Sequence, residues 1–322
     1  MKVGEVFLRD ANGFTAAPFR GRIGIPRALL YYWFGAAWEA FLRALGGPPV
    51  VSPPTNKSLL ALGRRRAPEE FCLPVQLFLG HAVYLAEEAG CDLLFVPRLV
   101  SLEEEAYTCP KLMGLPDVVR SLLPGKRTMV MRVDARTGKS WTKAMREVTL
   151  AFGGDKRAFA RARQAALAAQ RTYEESFLGA GKGEGPFLVV VGHPYCLYDR
   201  FLNMDLLLRL VRAGYRSVTP EMLPAAAVED GLAGLPKPLF WSFGRRVLGA
   251  AHYLLDHPGC RGLIHLSAFA CGPESLVGEL VEEAAGRDGV PFLRLVLDEH
   301  TGEAGFLTRV EAFLEMLGRR SR

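Results

Sequence analysis

The chain has 322 residues, of which 49% are hydrophobic and 23% charged. At roughly 100–200 residues per domain this length suits two globular domains, and the composition excludes wholesale disorder. Forty Lys and Arg against 34 Asp and Glu leave a formal charge of +6, a mild excess that suits an anionic small molecule or an acidic partner.

Residues 1–20 read as an N-terminal extension, and from 21 onward the chain alternates strand-like and helix-like segments. A short apolar strand at 22–25 ends at Pro26 and leads into an aromatic-rich helix over about 29–45, stopped by Gly46-Gly47. A second strand follows at 49–51. A helix over about 74–88 ends at Gly90, 92–96 is a third strand, and 129–133 a fourth. From 141 to about 177 the chain is rich in Ala, Arg and Glu and is helical by propensity.

The run Gly179-Ala180-Gly181-Lys182-Gly183-Glu184-Gly185 lacks the spacing of a phosphate loop and precedes a strand, so 179–185 reads as a linker. It separates a first domain at 21–178 from a second at 186–322. In the second, strands at 187–191, 217–218, 262–266 and 292–297 alternate with helices over 202–213, 239–255, 275–285 and 305–317. The pattern predicts an α/β protein of two Rossmann-like (flavodoxin-like) parallel-sheet domains with a cleft between them. Neither half carries G-x-G-x-x-G after its first strand, so dinucleotide binding has no support.

The longest apolar runs, such as 187–191 and 93–96, are strand-length and far below the roughly 18–20 residues of a membrane-crossing helix. Glu5, Arg9 and Asp10 interrupt the start of the chain, which is not a secretory signal. A cytoplasmic location without a membrane partner is the resulting expectation. Arg64-Arg65-Arg66 and Arg319-Arg320 come without a nucleic-acid motif, and Glu103-Glu104-Glu105 interrupts the basic pattern. No nucleic-acid partner is expected.

The six cysteines contain no C-x-x-C pair, so any metal site must be assembled from distant turns. Cys91 and Cys260 stand just before strands, the wrong edge of a parallel sheet for a site, and read as small hydrophobes. Cys72, Cys109 and Cys271 share a different grammar, with Pro74, Pro110 and Pro273 one or two residues later. Proline suits a first helical turn, so each thiol stands at or before a helix N-terminus, where the dipole favours the metal-binding thiolate. Cys196, in Gly192-His193-Pro194-Tyr195-Cys196, also follows a strand and is a candidate fourth ligand.

These segments resemble a known family. His265-Leu266-Ser267-Ala268-Phe269-Ala270-Cys271-Gly272-Pro273-Glu274-Ser275, the Asp298-Glu299-His300-Thr301-Gly302 segment and Thr308-Arg309-Val310-Glu311 are similar to activase-related proteins of the 2-hydroxyacyl-CoA dehydratase superfamily. Ile23-Gly24-Ile25-Pro26-Arg27, the segment from Cys72 to His81 and Gly192-His193-Pro194-Tyr195 fit the same family, so the resemblance spans about 22–317. It implies two Rossmann-like halves and a [4Fe-4S] cluster held by Cys72, Cys109 and Cys271. Cys196 falls where the family motif usually continues with another residue, which lowers its claim as a ligand. The implied partners are a separate ATP-dependent, actin/Hsp70-like iron–sulfur activase, a small-molecule substrate such as an acyl-CoA, and a second copy of the chain if clusters are brought together in a homodimer. The implied function is that of an iron–sulfur redox protein passing low-potential electrons from the activase to the substrate, as a [4Fe-4S]-dependent dehydratase or reductase. The competing reading is a metal-free two-domain small-molecule-binding or regulatory protein on the same scaffold.

Three residues stand out as acid–base candidates. Glu299 and His300 follow the last strand, and His193 follows the first strand of the second domain. Each also has a structural reading, as part of a turn or, for the neighbouring Asp298 and Glu303, as a helix cap. His81 reads as a packed or surface residue, and Arg27 as an anion contact or one member of an ion pair. The stripe Tyr31, Tyr32, Trp33, Phe34 and Trp38 reads as core and interface and not as a stacking platform.

Overall fold

The computed structural model of the chain describes residues 19, 21–138, 140–298 and 300–320. The expected extension at 1–20, Phe19 apart, lies outside them, as does Glu299. The described residues form two compact units, one running to 71 and resuming at 75–173, the other made of 72–74 together with the residues from 174 onward.

The first unit begins with β1 (Ile23–Ile25), α1 (Tyr31–Ala44) and β2 (Pro49–Val51). It continues with α2 (Lys57–Arg64), α3 (Leu73–Val83), β3 (Leu93–Phe95), β4 (Arg98–Ser101), α4 (Pro110–Leu122) and β5 (Arg127–Met129). The four main strands are parallel in the order β2-β1-β3-β5. The chain therefore winds first to one side of β1 and then to the other, and the direction reverses between β1 and β3. Ile23, Ile25, Leu93 and Leu94 are fully buried, so these strands are apolar on both faces, as a helix-covered parallel sheet requires. Gly63 of α2 and Gly80 of α3 meet where a Cβ on either would collide with the other helix's backbone carbonyls, of Gln76 and Leu59. That crossing seats α3, the helix that Cys72 leads into.

Two expected elements divide for identifiable reasons. The strand expected at 129–133 is two, β5 and β6 (Arg132–Asp134), and β6 pairs with β4. Pro97 between β3 and β4 has no N–H to give the ladder. Val96 N→Met129 O and Arg98 N→Met131 O, both 2.9 Å, bridge the interruption. The helix expected over 141–177 is α5 (Trp141–Ala151) and α6 (Lys156–Gly181). Gly153, at φ 71°, ends the first, and Asp155 begins the second by accepting from Ala158 N at 2.8 Å. α6 continues to Gly181, inside the glycine-rich run. Tyr173 Oη donates to Tyr32 O at 2.8 Å and ties α6 to α1.

The second unit comprises β7 (Phe187–Val191), α7 (Pro194–Tyr198), α8 (Leu206–Arg212), β8 (Arg216–Val218) and α9 (Ala225–Leu232). After these come α10 (Ser242–Leu255), β9 (Cys260–Ala268), α11 (Gly272–Arg287), β10 (Phe292–Leu297) and α12 (Glu303–Arg320). Its parallel order is β10-β9-β7-β8, so the winding reverses between β7 and β9. Val189, Val191 and Leu263 of the sheet pack with Val247, Leu248 and Ala251 of α10 and Val277 and Val281 of α11. Each such side chain contributes roughly 1.5–3 kcal/mol of apolar burial. Among the described residues no helix is long and apolar enough to cross a membrane.

Candidate functional site

In an open α/β sheet the crevice lies beyond the carboxyl ends of the strands where the winding reverses. In the second unit those ends are Val191 of β7 and Ala268 of β9, and the residues following them are Gly192-His193 and Phe269-Ala270-Cys271. Gly192 takes φ 157°, and a Cβ there would strike the Leu266 carbonyl, so only glycine lets the chain leave β7 this close to β9. His193 is then the N-cap residue of α7, with Pro194 at the first helical position.

On the other side of the reversal, Ala270 holds a left-handed φ of 61° and hands the chain to Cys271, the N-cap residue of α11. Glu274, three residues on, occupies the position from which a capping box would reach back to the N-cap amide. Here the Cys271 N–H goes to Ala268 O at 3.1 Å, and the Glu274 carboxylate turns inward instead. Its Oε1 lies 2.8 Å from His265 Nε2 in a hydrogen bond. Its Oε2 lies 3.0 Å from His193 Nε2, an ion-pair contact off the axis of a hydrogen bond. Tyr195 Oη stands 2.9 Å from His193 Nδ1, and the Phe243 ring meets His193 edge-on at 5.8 Å. The result is a continuous buried chain, Tyr195–His193–Glu274–His265, with no member more than 7% exposed. Gly278, one turn beyond Glu274, leaves space for the His265 ring: a Cβ there would lie 2.6 Å from its Cε1.

Burial by itself raises the Glu274 carboxyl, but His193 and then His265 outweigh it and hold the group below the usual carboxylate range. Burial lowers His193, against the pull of Glu274. Tyr195 is pushed well above the usual phenol range, first by burial and then by the charges of Cys271, Cys196, Cys72 and Glu274. Cys196, 1% exposed, is likewise raised by burial and by Cys271, Glu274, Cys72 and Asp199. Besides its chain neighbour Cys196, two thiols distant in sequence, Cys72 and Cys271, thus bear on the buried hydroxyl.

The remaining expected residues separate. Cys72 directly precedes α3 and Cys109 is the N-cap residue of α4, with Pro110 at the first helical position, so the Cys-then-Pro grammar does mark helix entries. Cys72 belongs to the second unit and Cys109 to the first. Among the described residues no group of three or more His, Cys, Asp or Glu side chains is arranged to hold a metal ion. The donor chemistry nonetheless suits an iron–sulfur group, since soft thiols stand at helix N-termini with positive dipole ends. His300 is exposed on a turn closed by Asp298 and Thr301, and its N–H donates to Asp298 Oδ1 at 2.8 Å. His300 is not one of the groups buried around Glu274.

In the first unit His81 is fully buried, with Ser52 Oγ 2.7 Å from Nδ1 and Thr55 Oγ1 3.1 Å from Nε2. Desolvation and the Arg27 charge lower its pKa to about 3, so it is a neutral packing residue. Arg27 follows β1 and lies 5.7 Å over the Tyr31 ring, while its N–H donates to Ser52 Oγ at 2.8 Å. The aromatic stripe is packing: Trp33 and Phe34 stack at 5.4 Å, and Trp38 meets Phe95 edge-on at 5.3 Å. Sequence reasoning gave His265 and Glu274 no role. The available signals were a histidine in an otherwise apolar strand and a glutamate at capping-box distance from Cys271.

Two family models match the sequence. One, described as the CoA enzyme activase uncharacterised domain, matches residues 22–223, and the 2-hydroxyglutaryl-CoA dehydratase D-component matches 188–317. No curated protein matches. Among solved structures, a mutant laminin-binding adhesin of Streptococcus agalactiae is 12% identical with a TM-score of 0.26, the match covering 94% of this chain and 99% of that one. Tagatose-6-phosphate ketose/aldose isomerase of Escherichia coli is also 12% identical, over 93% and 82% of the two chains, with a TM-score of 0.23. Likenesses this slight carry no weight for fold or function.

Proposed function

The chain belongs to the CoA enzyme activase-related, 2-hydroxyacyl-CoA dehydratase family, and we propose that within it the protein is an iron–sulfur redox component acting on a small molecule of the acyl-CoA class. The observation that supports the reading is the placing of Cys271 at the entry to α11, on the carboxyl edge of β9 beside the winding reversal of the second sheet, in the unit that also holds Cys72.

The proposed ligands are Cys72, Cys109 and Cys271, each a thiol at a helix entry. When bound, a [4Fe-4S] cluster supplies one-electron chemistry at low potential. The protein's own part is to keep the surroundings dry and ordered. Tyr195 bonds His193 and Glu274 bonds His265, all four buried, so they give the site fixed hydrogen-bonding groups that need no rearrangement when charge changes nearby. The proposed partner is an ATP-dependent activase delivering the electron.

The test is iron and sulfide content after anaerobic purification and reconstitution, for the native chain and for Cys72→Ala, Cys109→Ala and Cys271→Ala. About four irons per native chain, with loss in each variant, is the expected result. Three variants that all keep a full complement would overturn the ligand assignment. A native chain that takes up no iron would favour the metal-free binding protein.

A further inference from the structure

The winding of the first sheet reverses between β1 and β3, and ligands of open α/β sheets bind beyond the carboxyl ends of such strands. We infer that Arg27, just past the end of β1, is an oxyanion subsite that takes a phosphoryl or carboxylate group of a small molecule.

An arginine follows each of the two strands, Arg27 after Ile25 and Arg98 after Phe95, and the two differ in commitment. Arg98 donates from Nη1 to Met113 O at 2.9 Å and from Nη2 to Asp117 Oδ2 at 2.7 Å. Among the described residues Arg27 forms no ion pair and no side-chain hydrogen bond, and its Nε is buried without a partner. A guanidinium carries five N–H donors and is always charged. Half-buried and unpaired, it costs free energy that a bound anion would offset.

The surroundings hold Arg27 in place and leave its fork uncommitted. Its backbone N–H donates to Ser52 Oγ at 2.8 Å, and Ser52 is held in turn by buried His81 at 2.7 Å. The guanidinium carbon lies 5.7 Å over the Tyr31 ring, a cation–π contact that uses none of the N–H groups. That ring is itself fixed. Its hydroxyl donates to Glu39 Oε1 at 2.7 Å, and Gly35 leaves the ring its space, since a Cβ there would lie 2.7 Å from Cδ2. The Glu39 carboxylate serves Tyr31 and, at 3.6 Å, Arg43. A planar fork placed in this way matches the paired oxygens of a phosphoryl or carboxylate group. The subsite lies wholly in the first unit and needs no cluster, so it goes beyond the function proposed above.

The experiment follows the Arg27 Nε–H signal in proton–nitrogen spectra of the full chain, uniformly labelled with 15N and assigned through Arg27→Gln. Inorganic pyrophosphate and glutarate are added separately, with sodium chloride at matched ionic strength as the reference. The expected result is a saturable shift by at least one of the two anions, at a concentration at least about tenfold below any effect of chloride. Saturation by pyrophosphate alone assigns a phosphoryl group, by glutarate alone a carboxylate, and by both an oxyanion of either kind. Read at the backbone N–H of residue 27, the response should weaken at least about tenfold in Arg27→Gln. A signal that moves only as chloride moves it overturns the inference, as does a folded Arg27→Gln chain that keeps the native response. Should that variant not fold, Arg27→Lys assigns the signal and the native titration decides. A chain that binds the anion and takes up no iron would sink the proposed function and leave this subsite standing.

Discussion

Glu274 and Gly278 sit one turn apart on α11 and close on the same imidazole. The first gives His265 a carboxylate oxygen at 2.8 Å, and the second gives it the space its Cε1 occupies. A charged contact and a missing side chain on one helix face therefore set a single ring between sheet and helix.

Gly278→Ala should accordingly destabilise the second unit by about 1–3 kcal/mol, the usual cost of overpacking a close-packed interior. Urea unfolding followed by circular dichroism measures this directly. A loss below about 0.5 kcal/mol, the range of surface substitutions, would show that the ring has room to move.

His81 predicts an acid sensitivity in the first unit. Its folded pKa of about 3 lies below the ordinary 6.5, so between those values the unfolded chain binds the extra proton and stability falls as pH falls. From pH 6.5 to 5 this residue alone should remove up to about 2 kcal/mol. The check is the slope of unfolding free energy against pH in the native chain and in His81→Gln, whose slope should be flatter over that interval. Equal slopes would rule out His81 as the source.

Thiol chemistry should follow burial. Burial raises the thiols of Cys91, Cys196 and Cys260, but Cys91 and Cys196 are only 1% exposed whereas Cys260, like Cys109, is partly accessible. Iodoacetamide at pH 8 on the folded, metal-free chain should modify Cys109 and Cys260 at least about tenfold faster than Cys91 or Cys196. Peptide mass spectrometry over time reads the order. Rapid modification of Cys196 would mean that the β7–α7 turn opens readily.

Much of the architecture was legible in the chain because it rests on local signals. Apolar runs such as 93–96 and 187–191 gave the buried parallel strands, and Pro110 and Pro273 marked the helix entries that Cys109 and Cys271 cap. The errors came where one local signal masked another. Helical propensity on both sides hid the Gly153-Gly154-Asp155 stop and restart, and the apolar run 129–133 hid an interruption imposed by Pro97 on the neighbouring strand. The Tyr195–His193–Glu274–His265 chain was out of reach for another reason. Its members lie on three elements, and only the reversal of winding between β7 and β9 brings them together.

Residues 72–74 pack with the unit that otherwise begins at 174. This tripeptide leaves the ribosome ahead of the rest of the unit it is grouped with, since synthesis is sequential. Biosynthesis of the second unit is therefore complete only when an early segment is gathered in by a late one. Recombinant expression of 174–322 by itself would produce a body lacking the cysteine that heads α3.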